Sequence, residues 1–156
     1  MELQDLVTLR QIEELKYRYV RALDQKDWEL FGSLFTPDVT ATYGTRLEFT
    51  GPEQIVAYMR ENLGDNMITV HQVHHPEITV DGDTATGVWS LADRVIMTDY
   101  RLLLDGASFY RDEYRRDDEH GWRISRTSYV RTYEHMVSFD DLPSFNLTAN
   151  RFAAKD

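Results

Sequence analysis

The residues best suited to chemistry in this chain are an aspartate and a histidine far apart in sequence. Asp24 stands where an apolar helical pattern ends, in Tyr19-Val-Arg-Ala-Leu-Asp24-Gln-Lys-Asp-Trp28. His71 stands in an extended run, Thr69-Val-His71-Gln-Val-His-His75-Pro76. A carboxylate closing one element and a histidine within a strand are the ingredients of a general-base pair. Taken alone, Asp24 reads first as a helix-end residue before a turn, and His71 as a satisfied core histidine. A second signal is Asp93, which alternation puts on the same strand face as Ala85, Trp89, Leu91, Val95 and Met97. A carboxylate on an apolar face is costly unless it is paired or sits in a functional cavity. A buried ion pair with Arg126 or Arg131 and a role in a site are equally open for it. His74 and His75 raise the question of a metal. His71 and His75 share a strand face but stand about 13 Å apart at ~3.3 Å per residue, too far to hold one ion. No metal and no cofactor are expected, although His75 is expected to reach the mouth of a pocket.

The elements that must position these groups are legible as patterns. Leu6, Leu9, Ile12, Leu15, Tyr19 and Leu23 recur at three- and four-residue steps, which predicts an amphipathic helix over 5–24. Arg10, Glu13, Glu14, Arg18 and Arg21 then face solvent. Asp27 is a candidate N-cap for a short helix holding Trp28, Phe31, Leu34 and Phe35, stopped by Pro37. Strands are predicted over 39–43 and 46–50, and Gly51-Pro52 opens a third helix that ends at Gly64. Four strands follow: 67–80 with Pro76 as an edge or bulge residue, 84–98 after the Asp81-Gly82 turn, 108–116, and 122–133. The stripe Tyr110, Asp112, Tyr114 either lines a pocket or packs across strands. Residues 134–156 carry scattered Phe and Leu and are expected to pack on the body or on a neighbouring subunit. Helices early and strands late argue for an α+β domain, a curved antiparallel sheet wrapped as a cone around the helices with a central pocket.

Composition narrows the function classes. A length of 156 residues suits one domain, 1–156, and 42% hydrophobic residues make disorder a poor description. A net charge of −10 disfavours nucleic acid and anionic membranes as partners. The absence of cysteine removes thiol chemistry and disulfides. The acidic start Met1–Asp5 has no signal-peptide pattern, and no apolar run approaches a membrane span, so a cytoplasmic location is expected.

Several residues also carry a family resemblance: Tyr19 and Asp24 with Asp27-Trp28, Phe35-Thr36-Pro37-Asp38, His71, the segment with Ile78, Val80, Gly82-Asp83 and Ala85, Tyr110 with Asp112, and Gly121-Trp122-Arg123-Ile124. Together they resemble the nuclear-transport-factor-2-like superfamily, in its SnoaL-like branch with scytalone dehydratase, the bile-acid 7α-dehydratases and lindane dehydrochlorinase. The resemblance implies a cofactor-free lyase, a dehydratase in which His71 is the base, Asp24 orients it and Tyr19 contacts the substrate. Tyr43, Asp93, Arg131, His75, Tyr110 and Trp89 become candidate substrate-binding residues. Tyr19 in place of a lysine speaks against a dehydrochlorinase, and Leu23 before the aspartate against scytalone itself. The expected substrate is a hydrophobic ring-containing hydroxy-carbonyl molecule. The resemblance also implies a homo-oligomer, a trimer before a dimer. An isomerase or polyketide-type cyclase using the same base, and a non-catalytic binding or assembly subunit, remain alternatives.

Overall fold

The computed structural model describes residues 3–153. Helix α1 (Leu3–Gln25) buries Ile12, Leu15, Tyr19, Ala22 and Leu23 along one stripe, as the three-and-four spacing requires. Asp27 caps the short α2 (Trp28–Ser33), its side chain accepting a hydrogen bond from the Leu30 amide at 3.1 Å. Strand β1 (Phe35–Tyr43) and the brief β2 (Leu47–Thr50) lead to α3 (Pro52–Asn62), which buries Ile55 and Met59. Gly51 enters that helix at φ 81°, a conformation that suits glycine, and Pro52 follows in the first turn.

Four long strands complete the chain: β3 (Met67–Asp81), β4 (Thr84–Met97), β5 (Leu102–Asp117) and β6 (Gly121–Ser138). They form a meander within one six-stranded sheet of order β2-β1-β6-β5-β4-β3. All neighbours pair antiparallel except β1 with β6, which run parallel. The sheet curves over α1, and the core lies between them, giving the α+β cone. Among the described residues no helix is long and apolar enough to cross a membrane.

Three expected boundaries move. β1 begins at Phe35 rather than Val39, because Phe35 pairs with Ile124 and the Ile124 amide bonds to the Leu34 carbonyl. The register slips between Phe35 and Thr40, which accommodates Pro37 within the strand. β5 begins at Leu102 rather than Ser108 and β6 runs to Ser138 rather than Tyr133, so the two strands extend their shared hairpin ladder. The remaining tail folds a single 3-10 turn, Phe139–Asp141, and Phe139 stacks on Phe145 with centroids 4.6 Å apart. Phe152 returns to the body, where Lys26 Nζ lies 4.5 Å from its ring. The last positions of the expected extension, 154–156, lie outside the described residues.

Beneath the sheet sits a buried ion pair that alternation did not reveal. Lys16 is 0% exposed, and its Nζ lies 2.8 Å from Asp112 Oδ2. That approach is an ion contact without the alignment of a hydrogen bond. Asp112 takes its hydrogen bonds from Thr127 Oγ1 at 2.7 Å and Tyr114 Oη at 2.9 Å, while Tyr114 Oη accepts from Trp89 Nε1 at 2.9 Å. The Lys16 ammonium also rests over the rings of Tyr110 and Tyr19, at 3.4 and 4.4 Å from their centroids. Burial pulls the Lys16 ammonium below its usual range, with Asp112 opposing the shift.

Two measurements test this core. Lys16→Met leaves Asp112 buried without its cation and should lower unfolding stability by about 3–5 kcal/mol. The double change Lys16→Met, Asp112→Leu should recover part of that loss, and urea unfolding of both variants checks it. Burial also pushes the phenols of Tyr19, Tyr43, Tyr110 and Tyr114 well above 10, so the unfolded chain releases those protons first as pH rises. The stability they hold is fully present below pH ~10 and is lost above it, at about 1.4 kcal/mol per pH unit for each phenol. Lys16 acts in the opposite sense, gaining stability as pH climbs toward 10.5, but it is one group against four. Denaturation midpoints should fall as pH rises above ~10, and phenolate absorbance should appear together with unfolding.

Candidate active site

Asp24 lies in the last turn of α1 and reaches across to β3. Its Oδ1 is 2.6 Å from His71 Nδ1 and accepts from Thr69 Oγ1 at 2.8 Å, while its Oδ2 accepts from the His71 amide at 2.9 Å. Thr69 and His71 are two apart in a strand and so face the same side. Three donors on one carboxylate fix its position, and the carboxylate fixes the imidazole. With Nδ1–H donated to Asp24, the lone pair of His71 resides on Nε2. The pair is mostly enclosed, with side-chain exposures of 12% for His71 and 22% for Asp24.

The sheet register brings the next groups alongside. His71 stands directly opposite Asp93 on β4, and Asp93 opposite Gly106 on β5. Arg131 reaches over from β6 into the space that Gly106 leaves: a Cβ there would fall 2.6 Å from Arg131 Nη1. The guanidinium bonds Asp93 through both terminal nitrogens, Nη1 to Oδ1 and Nη2 to Oδ2, the latter at 2.8 Å. Its Nε lies 3.1 Å from Glu134 Oε2. Asp93 is 7% exposed, and its hydrogen bond holds the Arg131 guanidinium above the usual range. Of the two partners open to Asp93 on sequence grounds, Arg131 is the one present; Arg126 pairs with Glu113 on the outer face.

Of these groups, Thr69, His71, Asp93 and Arg131 line a cavity of about 160 Å³ between α1, α3 and the sheet. Leu23, Met59, Leu63, Leu91 and Val95 supply apolar wall. Tyr19, Tyr43, Tyr58, Tyr110 and Tyr129 supply rings and hydroxyls. The Tyr19 and Tyr43 hydroxyls are 3.3 Å apart, and burial keeps both phenols protonated well past neutral pH. The wall therefore offers an imidazole held by a carboxylate at one end, phenol hydroxyls, and a carboxylate–guanidinium pair.

The structure gathers His71, Tyr19, Tyr43, Asp93, Arg131 and Tyr110 around one space, joins Asp24 to it through His71, and leaves two candidates outside it. Trp89 is wholly buried and spends its N–H on Tyr114, within the core beside the cavity. His75 is exposed because the strand bulges: the register slips between His74 and Glu77, and His75 takes φ 50°, which turns it off the face of His71. Among the described residues no group of three or more His, Asp or Glu side chains could hold a metal ion. Sequence reasoning missed Thr69, Tyr58, Tyr129 and Lys16. Thr69 was findable as the same-face neighbour of His71, and Lys16 as a lysine one turn after Ile12 on the buried stripe.

Comparison with known proteins places this geometry. The pattern of the SnoaL-like domain matches residues 4–128. An uncharacterised protein of Mycobacterium tuberculosis is 27% identical over 129 residues, spanning 81% of this chain and 87% of that protein. A candidate scytalone dehydratase from Novosphingobium aromaticivorans has the same fold at TM-score 0.78 and 21% identity, over 84% of this chain and 88% of its own. A hexachlorocyclohexane dehydrochlorinase from Novosphingobium barchaimii matches at TM-score 0.79 and 17% identity, over 88% and 94%. At such identities the structural likeness is one of fold. The domain pattern runs from the first helix into the last strand, and the chain belongs to the SnoaL-like domain family.

Proposed function

We propose that this protein is a lyase working with its own side chains alone, a dehydratase acting on a hydrophobic hydroxy-carbonyl molecule. The observation that carries this reading is the contact of His71 Nδ1 with Asp24 Oδ1 at 2.6 Å on the wall of a cavity. A histidine held in one tautomer by a carboxylate is suited to accept a proton near neutral pH. His71 Nε2 takes the proton α to the substrate carbonyl. Asp24 holds Nδ1–H and stabilises the imidazolium that forms. The Tyr43 and Tyr19 hydroxyls donate to the carbonyl oxygen as enolate charge develops. The imidazolium then returns its proton to the departing hydroxyl, which leaves as water, and the electron pair of the enolate forms the new double bond. The solved relatives named above, a candidate dehydratase and a dehydrochlorinase, both belong by name to elimination chemistry, which supports the class of reaction. An isomerase or cyclase would use the same base and retain the water.

Incubation with cyclic β-hydroxy ketones in deuterated water separates these outcomes. A dehydratase gives a product lighter by one water, whereas an isomerase gives exchange without mass loss. His71→Ala should lower the rate by about 100- to 10,000-fold with a nearly unchanged thermal midpoint. Asp24→Asn should lower it in the same direction, by favouring the wrong tautomer of His71. Turnover by His71→Ala within threefold of the parent chain would remove the assignment.

A further inference from the structure

The cavity also speaks about what it would hold, and this inference rests on the reading of the site just given. Its volume of about 160 Å³ lies well below the roughly 300–1,000 Å³ of pockets that take drug-sized ligands. It is close to the ~150 Å³ engineered cavity that accommodates a benzene molecule. Size alone therefore points to one six-membered ring with small substituents.

Charge narrows the class further. Among the described residues, Arg131 is the only lysine or arginine on the cavity wall. All three of its guanidinium nitrogens face carboxylates, two on Asp93 and one on Glu134. Lys16, the nearest buried cation, lies behind the rings of Tyr19 and Tyr110 and is spent on Asp112. Lys26 donates to the Leu63 and Met67 carbonyls and does not line the cavity. On the wall Asp93 balances Arg131, Glu134 takes the remaining guanidinium nitrogen from outside the lining, and the Asp24 carboxylate stands against His71, so that end of the cavity carries no uncompensated positive charge among the described residues. A carboxylate or phosphate on the substrate would enter there without a free partner. The groups left to recognise polarity are neutral: the paired hydroxyls of Tyr19 and Tyr43, with Tyr58, Tyr129 and Asn62.

We propose that the site takes an uncharged, monocyclic hydroxy-carbonyl compound and rejects both acidic substrates and fused polycyclic ones. The apolar ring packs among Leu23, Leu91 and Val95, and the oxygen meets the tyrosine pair.

Binding of three probes by methyl-resolved NMR tests this separately from turnover. Benzyl alcohol is neutral and monocyclic, benzoate is its anionic counterpart, and naphthalenemethanol its fused-ring counterpart. Benzyl alcohol should saturate and shift the methyls of Leu23, Leu63 and Leu91, with benzoate and naphthalenemethanol each at least ~10-fold weaker, a difference of about 1.4 kcal/mol. The same order should persist in His71→Gln, which keeps a side chain of similar volume on the wall while removing the imidazole, because selection by volume and charge does not require the base. The proposal is overturned if benzoate or naphthalenemethanol matches benzyl alcohol, or if none of the three binds saturably at those methyls. If the binding order holds while no cyclic β-hydroxy ketone is turned over, the lyase reading fails and the selectivity stands. If an acidic or fused-ring substrate is dehydrated in a His71-dependent way, the selectivity fails and the lyase reading stands.

Discussion

The Asp24 carboxylate is the joint on which the arrangement turns. It ties the last turn of α1 to β3 through a hydroxyl, an amide and an imidazole at once. The helix is thereby set against the edge of the sheet at one height, and the cavity is what remains between them. A partly buried carboxylate is favoured when its lone pairs are filled, and here the strand fills them. The same bonds that settle the fold locally also choose the histidine tautomer, so structural and chemical demands on Asp24 coincide.

A second pair of opposite charges works in a different way. Lys16 and Asp112 lie wholly within the core, under the tyrosines, where each needs the other to offset its removal from water. Asp93 and Arg131 lie on the cavity wall, and the register of four strands is needed to build them: His71 beside Asp93, Asp93 beside Gly106, and Gly106 bare so that Arg131 has room. Both pairs neutralise charge that would otherwise face the cavity or its floor. What is left exposed to a ligand is chiefly rings, aliphatic wall and phenol hydroxyls.

The main elements were legible because their causes are local. The Ile12, Leu15, Tyr19, Leu23 spacing specifies a helix, Asp27 caps the next, and Asp81-Gly82 turns a hairpin. Asp93 announced an interior position through its apolar neighbours. What was not legible depends on partners distant in sequence. The front of β5, with Asp105-Gly106, looks like a loop until Arg131 is seen to require that glycine. Phe35 reads as helix until parallel pairing with Ile124 claims it. His75 follows strand alternation until the bulge at Pro76 reverses it, and Trp89 reads as a pocket residue until Tyr114 takes its N–H. Each miss is a case where tertiary pairing overrode a local period.

That bulge has a bearing beyond the site. His71 sits on β3, an outermost strand of the sheet, whose far side would ordinarily offer a row of open amides and carbonyls to any other extended chain. Pro76 removes one of those amides, and the left-handed turn at His75 breaks the row. At the opposite margin β2 is only four residues long. Both rims of the sheet are thus poor templates for fibril growth, so the strand that carries His71 can stand at the border of the fold without recruiting further strands onto itself.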